Sequence, residues 1–263
     1  MYSDEHKKFL KSIKVNNFWV RLCQIAIIVL FIIIWQLLAN FKLINTFIAS
    51  SPKLILNTLI SLFKEGNLFK HIWITVYETI ISFSLGTIIG TIIATILWWN
   101  KFIAKVLDPY LTILNSLPKV ALGPIIIIWA GAGINSIILM ALLISTIITI
   151  INVYQGFIET NHLKIKLMKS FKANKYQVYT KLIIPSSFSN IISALKINVS
   201  MSLIGVIMGE FLVSKEGLGY LIMYGSQVFN LNLVITGIFI LCVVSAIMYY
   251  LVYYLEKRLI KGD

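Results

Sequence analysis

Long apolar runs bounded by lysines recur along the chain. A hydrocarbon layer ~30 Å thick is crossed by about 20 apolar residues in helix. Runs of that length occupy residues 19–39, 72–99, 111–130, 134–154, 191–213 and 233–254. About six spanning helices and an all-α membrane protein are therefore expected. The third run is interrupted by Pro118, Gly123 and Pro124. Trp98 and Trp99 close the second, where an interfacial aromatic belt belongs. Residues 51–69 read differently: Leu54, Ile55, Leu59, Leu62 and Phe63 recur at helical spacing among Lys53, Asn57 and Lys64. This stretch is too short and polar to span, so it is expected as an amphipathic interfacial helix.

Charge orients the spans. Lys7, Lys8, Lys11, Lys14, Lys101, Lys105, Lys164, Lys166, Lys169, Lys172, Lys175, Lys181, Lys257, Arg258 and Lys261 fall on one side. Lys42, Lys53, Lys64, Lys70 and Lys215 fall on the other. The positive-inside rule then puts both termini in the cytoplasm. The expected divisions are a cytoplasmic leader at 1–18, a membrane domain at 19–254 and a cytoplasmic tail at 255–263. Of the 263 residues 59% are hydrophobic and 13% charged, which sets the chain apart from ordinary soluble domains. The net charge of +13 sits in loops between apolar runs, not on a polar chain with exposed aromatics, so nucleic acid is not expected as a partner. Cys23 and Cys242 lie inside apolar runs and are expected as small apolar fillers. His6, His71 and His162 lack ligand spacing, so neither metal nor cofactor is expected. Residues 22–39 after the basic leader exceed a signal-peptide core and lack a cleavage pattern, so they read as a retained first span.

The connection at 159–190 is longer than bundle loops usually are. It reads NHLKIKLMKSFKANKYQVYTKLIIPSS from Asn161 to Ser187. Leu163, Leu167 and Phe171 share one helical face, Ala173 and Asn174 interrupt, and a second short stretch runs to Pro185, which is expected to end it. Two short helices around a bend would project a knob. A basic loop lying on anionic lipid is the plainer reading, but Phe171 and Tyr176 at the bend favour insertion into a partner's groove.

This loop resembles the signature loop of binding-protein-dependent ABC transporter permeases. Anchoring on Pro185 puts the terminal hydrophobics of that signature on Leu182 and Ile184, its glycine on Lys172 and its Glu-Ala-Ala on Lys166, Leu167 and Met168. The spacing is kept while the letters differ. DPYL from Asp108, LNSLPKVALGPIIIIWAGAG from Leu114, SALKINVSMSLIGVIMGEFLVSKEGLGYLI from Ser193 and YLEKRL from Tyr254 are similar to the nitrate, sulfonate and taurine group of that family. A left-handed residue at Lys172 would cost about 1–2 kcal/mol, so the bend is expected at Asn174 instead.

The resemblance implies a type I ABC importer permease fold. It implies a translocation subunit, not an enzyme, paired with a second copy of itself, two cytoplasmic ATPase subunits and an external solute-binding protein. Leu167, Met168, Lys169, Ser170, Phe171, Lys172, Ala173, Asn174 and Tyr176 would form the ATPase-coupling element. The cargo would be a small solute such as a sulfonate, nitrate, taurine or a vitamin precursor, moved inward by alternating access. The chain carries no phosphate-binding loop of its own, and no intramembrane cluster of carboxylate, arginine and histidine is read from it. A polytopic membrane enzyme and a secondary transporter or channel remain the competing classes. In the fifth span, Ala194, Asn198, Ser202, Gly205 and Gly209 share a face that either packs closely or lines the path, with Asn198 and Ser202 the better path candidates. Glu210 joins them near the outer mouth or braces the loop at 217–220. Lys196 is expected to snorkel to the inner interface. Gly86, Gly90 and Ala94 are assigned to helix packing.

Overall fold

The computed structural model describes residues 4–260, leaving Lys261 outside, and every regular element among them is helical. Helix α1 is Asp4–Asn40, followed by a single turn α2 (Thr46–Ala49) and α3 (Pro52–Lys64). Ser51 caps α3 by accepting the Leu54 N–H, and Pro52 stands in its first turn, where a missing N–H costs nothing. Ile55 and Leu62 are the buried side of α3, against α4 (Asn67–Trp99) and α12 (Leu231–Ile260). The amphipathic expectation for this stretch thus has a packed face.

The third span, expected as one interrupted run at 111–130, starts earlier and is sharply bent. It consists of α5 (Lys101–Ser116), a 3-10 turn (Lys119–Leu122) and α6 (Gly123–Ala130), and the two limbs meet at 87°. Pro118 drives the break: the residue before a proline is pushed out of helical geometry, and Leu117 is extended at φ −62°, ψ 138°. Five other helical segments are long and apolar enough to cross a membrane.

The centre of the molecule is α4, α7 (Ile134–Ile158) and α10 (Ile184–Val213). Small residues set their spacing. A Cβ on Gly86 would lie 2.6 Å from Ser145 Oγ, one on Gly90 2.7 Å from Thr149 Cβ, and one on Gly209 2.8 Å from the Ile137 Cα. Gly205 is pressed even closer to the Ala141 backbone. Close packing is therefore what the glycines of both the second and the fifth span do. A further helix, α11 (Leu218–Gln227), was not foreseen; with α12 it closes a cluster of Leu203, Ile207, Leu218, Leu221 and Val244. Cys23 and Cys242 are free and exposed rather than core fillers.

Helix α1 stands apart. Only 6% of its apolar window is buried, and it meets the remainder near its C-terminal end, where Gln36 Oε1 accepts the Lys53 N–H at 3.0 Å. Its apolar surface is left for lipid or a second chain.

Candidate functional site

The knob is built as two helices and a bend. Asn161 starts α8 (His162–Ser170) by accepting the Leu163 N–H, and Asn174 starts α9 (Lys175–Val178) with a reciprocal capping box to Gln177. Between them the Lys172 N–H reaches the Lys169 carbonyl and the Ala173 N–H reaches the Met168 carbonyl. This is a Schellman ending, which needs a left-handed residue after the cap. Lys172 supplies it at φ +55°, while Asn174 is extended at φ −74°, ψ 168°. The bend is thus at Lys172 and not at Asn174 as expected. Asn174 is committed to capping, which requires extended backbone, so the strained position falls to lysine.

Pro185 does not end the second stretch. The residues from Lys175 to Val213 run as one helical unit through a π turn at Tyr179–Ile183. The Ile184 N–H reaches back five residues to Tyr179, and this widened turn accommodates a proline that an ordinary α turn would reject. The knob is therefore continuous with α10.

Leu163, Leu167, Phe171 and Tyr176 are exposed on the knob, and Met168 and Ala173 are half-buried against its base. Lys166, Lys169 and Lys172 are also exposed, and residues 160–190 contain no acidic side chain. An apolar spine flanked by cations is a surface for an acidic, grooved partner.

A polar seam runs through the α4–α7–α10 centre. Asn198, Ser202 and Glu210 are 0%, 0% and 1% exposed, enclosed within the chain. Asn198 Nδ2 donates to Thr87 Oγ1 at 2.6 Å. Ser82, Ser145 and Ser202 each bury a hydroxyl that has no partner among the described residues.

At the end of α4 away from the knob, Glu210 is a brace. Thr75 Oγ1 donates to Glu210 Oε1 at 2.6 Å and accepts the Leu218 N–H at 2.8 Å. Glu210 Oε2 accepts the Gly219 N–H at 2.5 Å. A Cβ on Gly219 would stand 2.7 Å from that same oxygen, so the chain needs glycine to approach the carboxylate. His71 Nδ1 accepts the Gly217 N–H at 3.0 Å, and Lys70 pairs with Glu216. Glu78 is buried beside Glu210, and its Oε2 has no partner among the described residues. Glu78, Glu210 and Thr75 thus gather between the second and fifth spans, a pairing of carboxylates that the reading of the sequence did not include. Sequence reading missed Glu78, a lone acid in an apolar run whose partner lies far along the chain. Lys196 likewise does more than snorkel: it pairs with Glu256 of α12 at 2.8 Å, under the Tyr253 ring.

Comparison with known proteins adds an independent line. The family described as "Binding-protein-dependent transport system inner membrane component" matches residues 86–261. A putative aliphatic sulfonates transport permease protein of Bacillus subtilis is 28% identical over 88% of this chain and 83% of its own length. A probable ABC transporter permease protein of Haemophilus influenzae is 29% identical over 92% of this chain and 98% of its own. A riboflavin transport system permease protein of Chloroflexus aurantiacus is 26% identical over 93% and 91%. Among solved structures, a chain of the MetNI methionine ABC transporter in an inward facing conformation superposes with TM-score 0.66 at 18% identity, covering 76% of this chain and 97% of that one. A chain of an amino acid ABC transporter gives TM-score 0.62 at 14% identity, covering 78% and 98%. Both place the fold with type I ABC importer permeases.

Proposed function

The chain belongs to the binding-protein-dependent transport system inner membrane components, and from that premise we propose that it is the translocation subunit of an ATP-driven importer, docked on its ATPase through the knob at 162–178. ABC permeases are translocation subunits rather than enzymes, and this multi-pass chain of the cell membrane is one of them. The observation that carries the docking assignment is the exposed spine of Leu163, Leu167, Phe171 and Tyr176 on a knob without an acidic residue. The coupling element comprises Leu167, Met168, Lys169, Ser170, Phe171, Lys172, Ala173, Asn174 and Tyr176. ATP-driven closure of two ATPase subunits presses on the two knobs, and each knob's continuity with α10 carries the movement into the membrane.

The loop charges support a cytoplasmic position for both termini and the knob, with a proposed leader at 1–18, membrane domain at 19–254 and tail at 255–263. A second copy is the partner for the uncovered side of α1 and the exposed edges of α5 and α6, where Tyr110, Ile113, Ile128 and Trp129 stand out. An extracytoplasmic solute-binding protein delivers the cargo. Relatives named for aliphatic sulfonates, formylaminopyrimidine, riboflavin and taurine support a small organic solute or oxyanion as that cargo. Asn198, Ser202 and Glu210 are the proposed path residues; all three are sealed between helices here, so they meet the cargo only when α4 and α10 part. Cysteines at 198 and 202 that resist labelling in every nucleotide state would remove that role.

The test is purification from native membranes in mild detergent with partners identified by mass. An ATP-binding subunit recovered with the wild type and lost from Phe171→Asp is the expected outcome. A wild type that brings down no ATPase, under conditions that keep a known importer whole, would overturn the proposal.

A further inference from the structure

Of the exposed lysines on the knob, Lys175 alone is turned back onto the body of the protein among the described contacts. Its Nζ donates to the Trp99 carbonyl at the last turn of α4 and stands 5.4 Å from the Trp99 ring centre and 5.9 Å from that of Trp98. The last carbonyls of a helix lack intrahelical donors and carry its negative pole. A lysine there satisfies both, and the two indole faces add a cation–π attraction.

One turn further on, Tyr179 closes the same contact from inside. Its ring lies 5.1 Å from Trp98, 6.0 Å from Trp99 and 5.7 Å from Phe157 of α7. Thr95 Oγ1 gives its one proton to the Thr91 carbonyl at 2.8 Å, so the Tyr179 hydroxyl is the donor in the 2.7 Å bond between Tyr179 and Thr95. An interfacial tyrosine serving only as a lipid anchor would point its hydroxyl outward to the headgroups. This one points into the bundle.

We propose that Lys175 and Tyr179 form a clasp that makes the knob and the knob end of α4 one rigid body. They are positioning residues, distinct from the docking spine. Chain continuity joins the knob to α7 and α10, and the knob's base packs on Val153 and Phe157 of α7. The clasp ties in the last turn of α4, the helix on the far side of the buried seam, so a push on α8 is delivered to the knob end of α4 as well as to α10. This inference rests on the knob being the ATPase-docking element, since only then does a push arrive there.

The experiment uses the full chain with Cys23 and Cys242 replaced by serine. Nitroxides are placed at Ile96 on α4 and Lys164 on α8, both exposed, and diluted with unlabelled copies so that only distances within one protomer are read. The wild type should give one narrow distance, unchanged when the copurified ATPase is trapped with ATP and vanadate. Lys175→Met combined with Tyr179→Phe should at least double the width of that distribution, Lys175→Arg should keep the wild-type width, and ATPase recovery should be unchanged in both. A double variant with the wild-type width would overturn the clasp. Should that variant not fold, Lys175→Met alone is scored by the same criterion. A wild type that recovers no ATPase would refute the functional reading, and the width comparison, which needs no ATPase, would still decide the clasp.

Discussion

At the scale of single residues, the bend of the knob is held by a lysine in a conformation that favours glycine. Lys172 sits at φ +55° because the Schellman hydrogen bonds demand it and because Asn174, the residue better suited to left-handed backbone, is used as a cap. Lys172→Gly should therefore stabilise the knob by about 1 kcal/mol, read as a higher midpoint in thermal unfolding in detergent. Asn174→Ala should lower stability by about 1 kcal/mol through loss of the capping box. At the opposite end, Glu210→Ala would leave the Gly219 N–H and Thr75 Oγ1 without their acceptor, at about 1–3 kcal/mol for each buried group. Amide exchange at 217–220 should quicken at least tenfold in that variant while exchange in the knob stays at the wild-type rate; equal rates at 217–220 would show that the start of α11 is held by other means. The docking spine and Glu210 could be read from the chain because each repeats or stands in a recognisable segment. Glu78 could not, since a single acid among apolar residues gains meaning only from a partner 132 positions away, a contact that register between α4 and α10 creates.

At the scale of elements, most spans were legible because twenty apolar residues in a row have few alternatives to a membrane helix. Two proline positions defeated that reading in opposite directions. Pro118 looked like an interruption within one span, yet it turns the chain by 87° because Leu117 is forced into extended geometry. Pro185 looked like a stop, yet a π turn absorbs it and the helix continues. Local sequence does not decide between these outcomes; the neighbouring helices that α5 and α10 pack against do. Helix α11 escaped notice for a related reason, being too short to span and too apolar to look amphipathic. Where α10 crosses α7, Gly205 meets the backbone of Ala141, which cannot yield as a side chain can. Gly205→Leu should therefore cost about 1–3 kcal/mol or prevent folding, whereas a leucine in place of exposed Ser193 should leave the unfolding midpoint within a degree or two. Equal midpoints for the two variants would mean that the α7–α10 crossing is looser than described.

At the scale of the whole molecule, the chain has a well-packed centre of three helices and an apolar periphery. Helix α1 and the broken third span present apolar surface to lipid or to a second chain. The knob protrudes from the same end at which α4 closes, and the glutamate brace fastens the other end. The proposed importer role suits this division, with a stiff centre between the knob and the glutamate brace. The importer role turns on the knob docking an ATPase. A photoreactive amino acid placed at Phe171, with a control at Lys215 in the loop on the opposite side, tests it in intact cells. Docking through the knob should give an adduct from position 171 whose partner, identified by mass, is an ATP-binding subunit, and none of that subunit from position 215. Adducts from 171 with lipid alone, or with the same partner from 215, would contradict it.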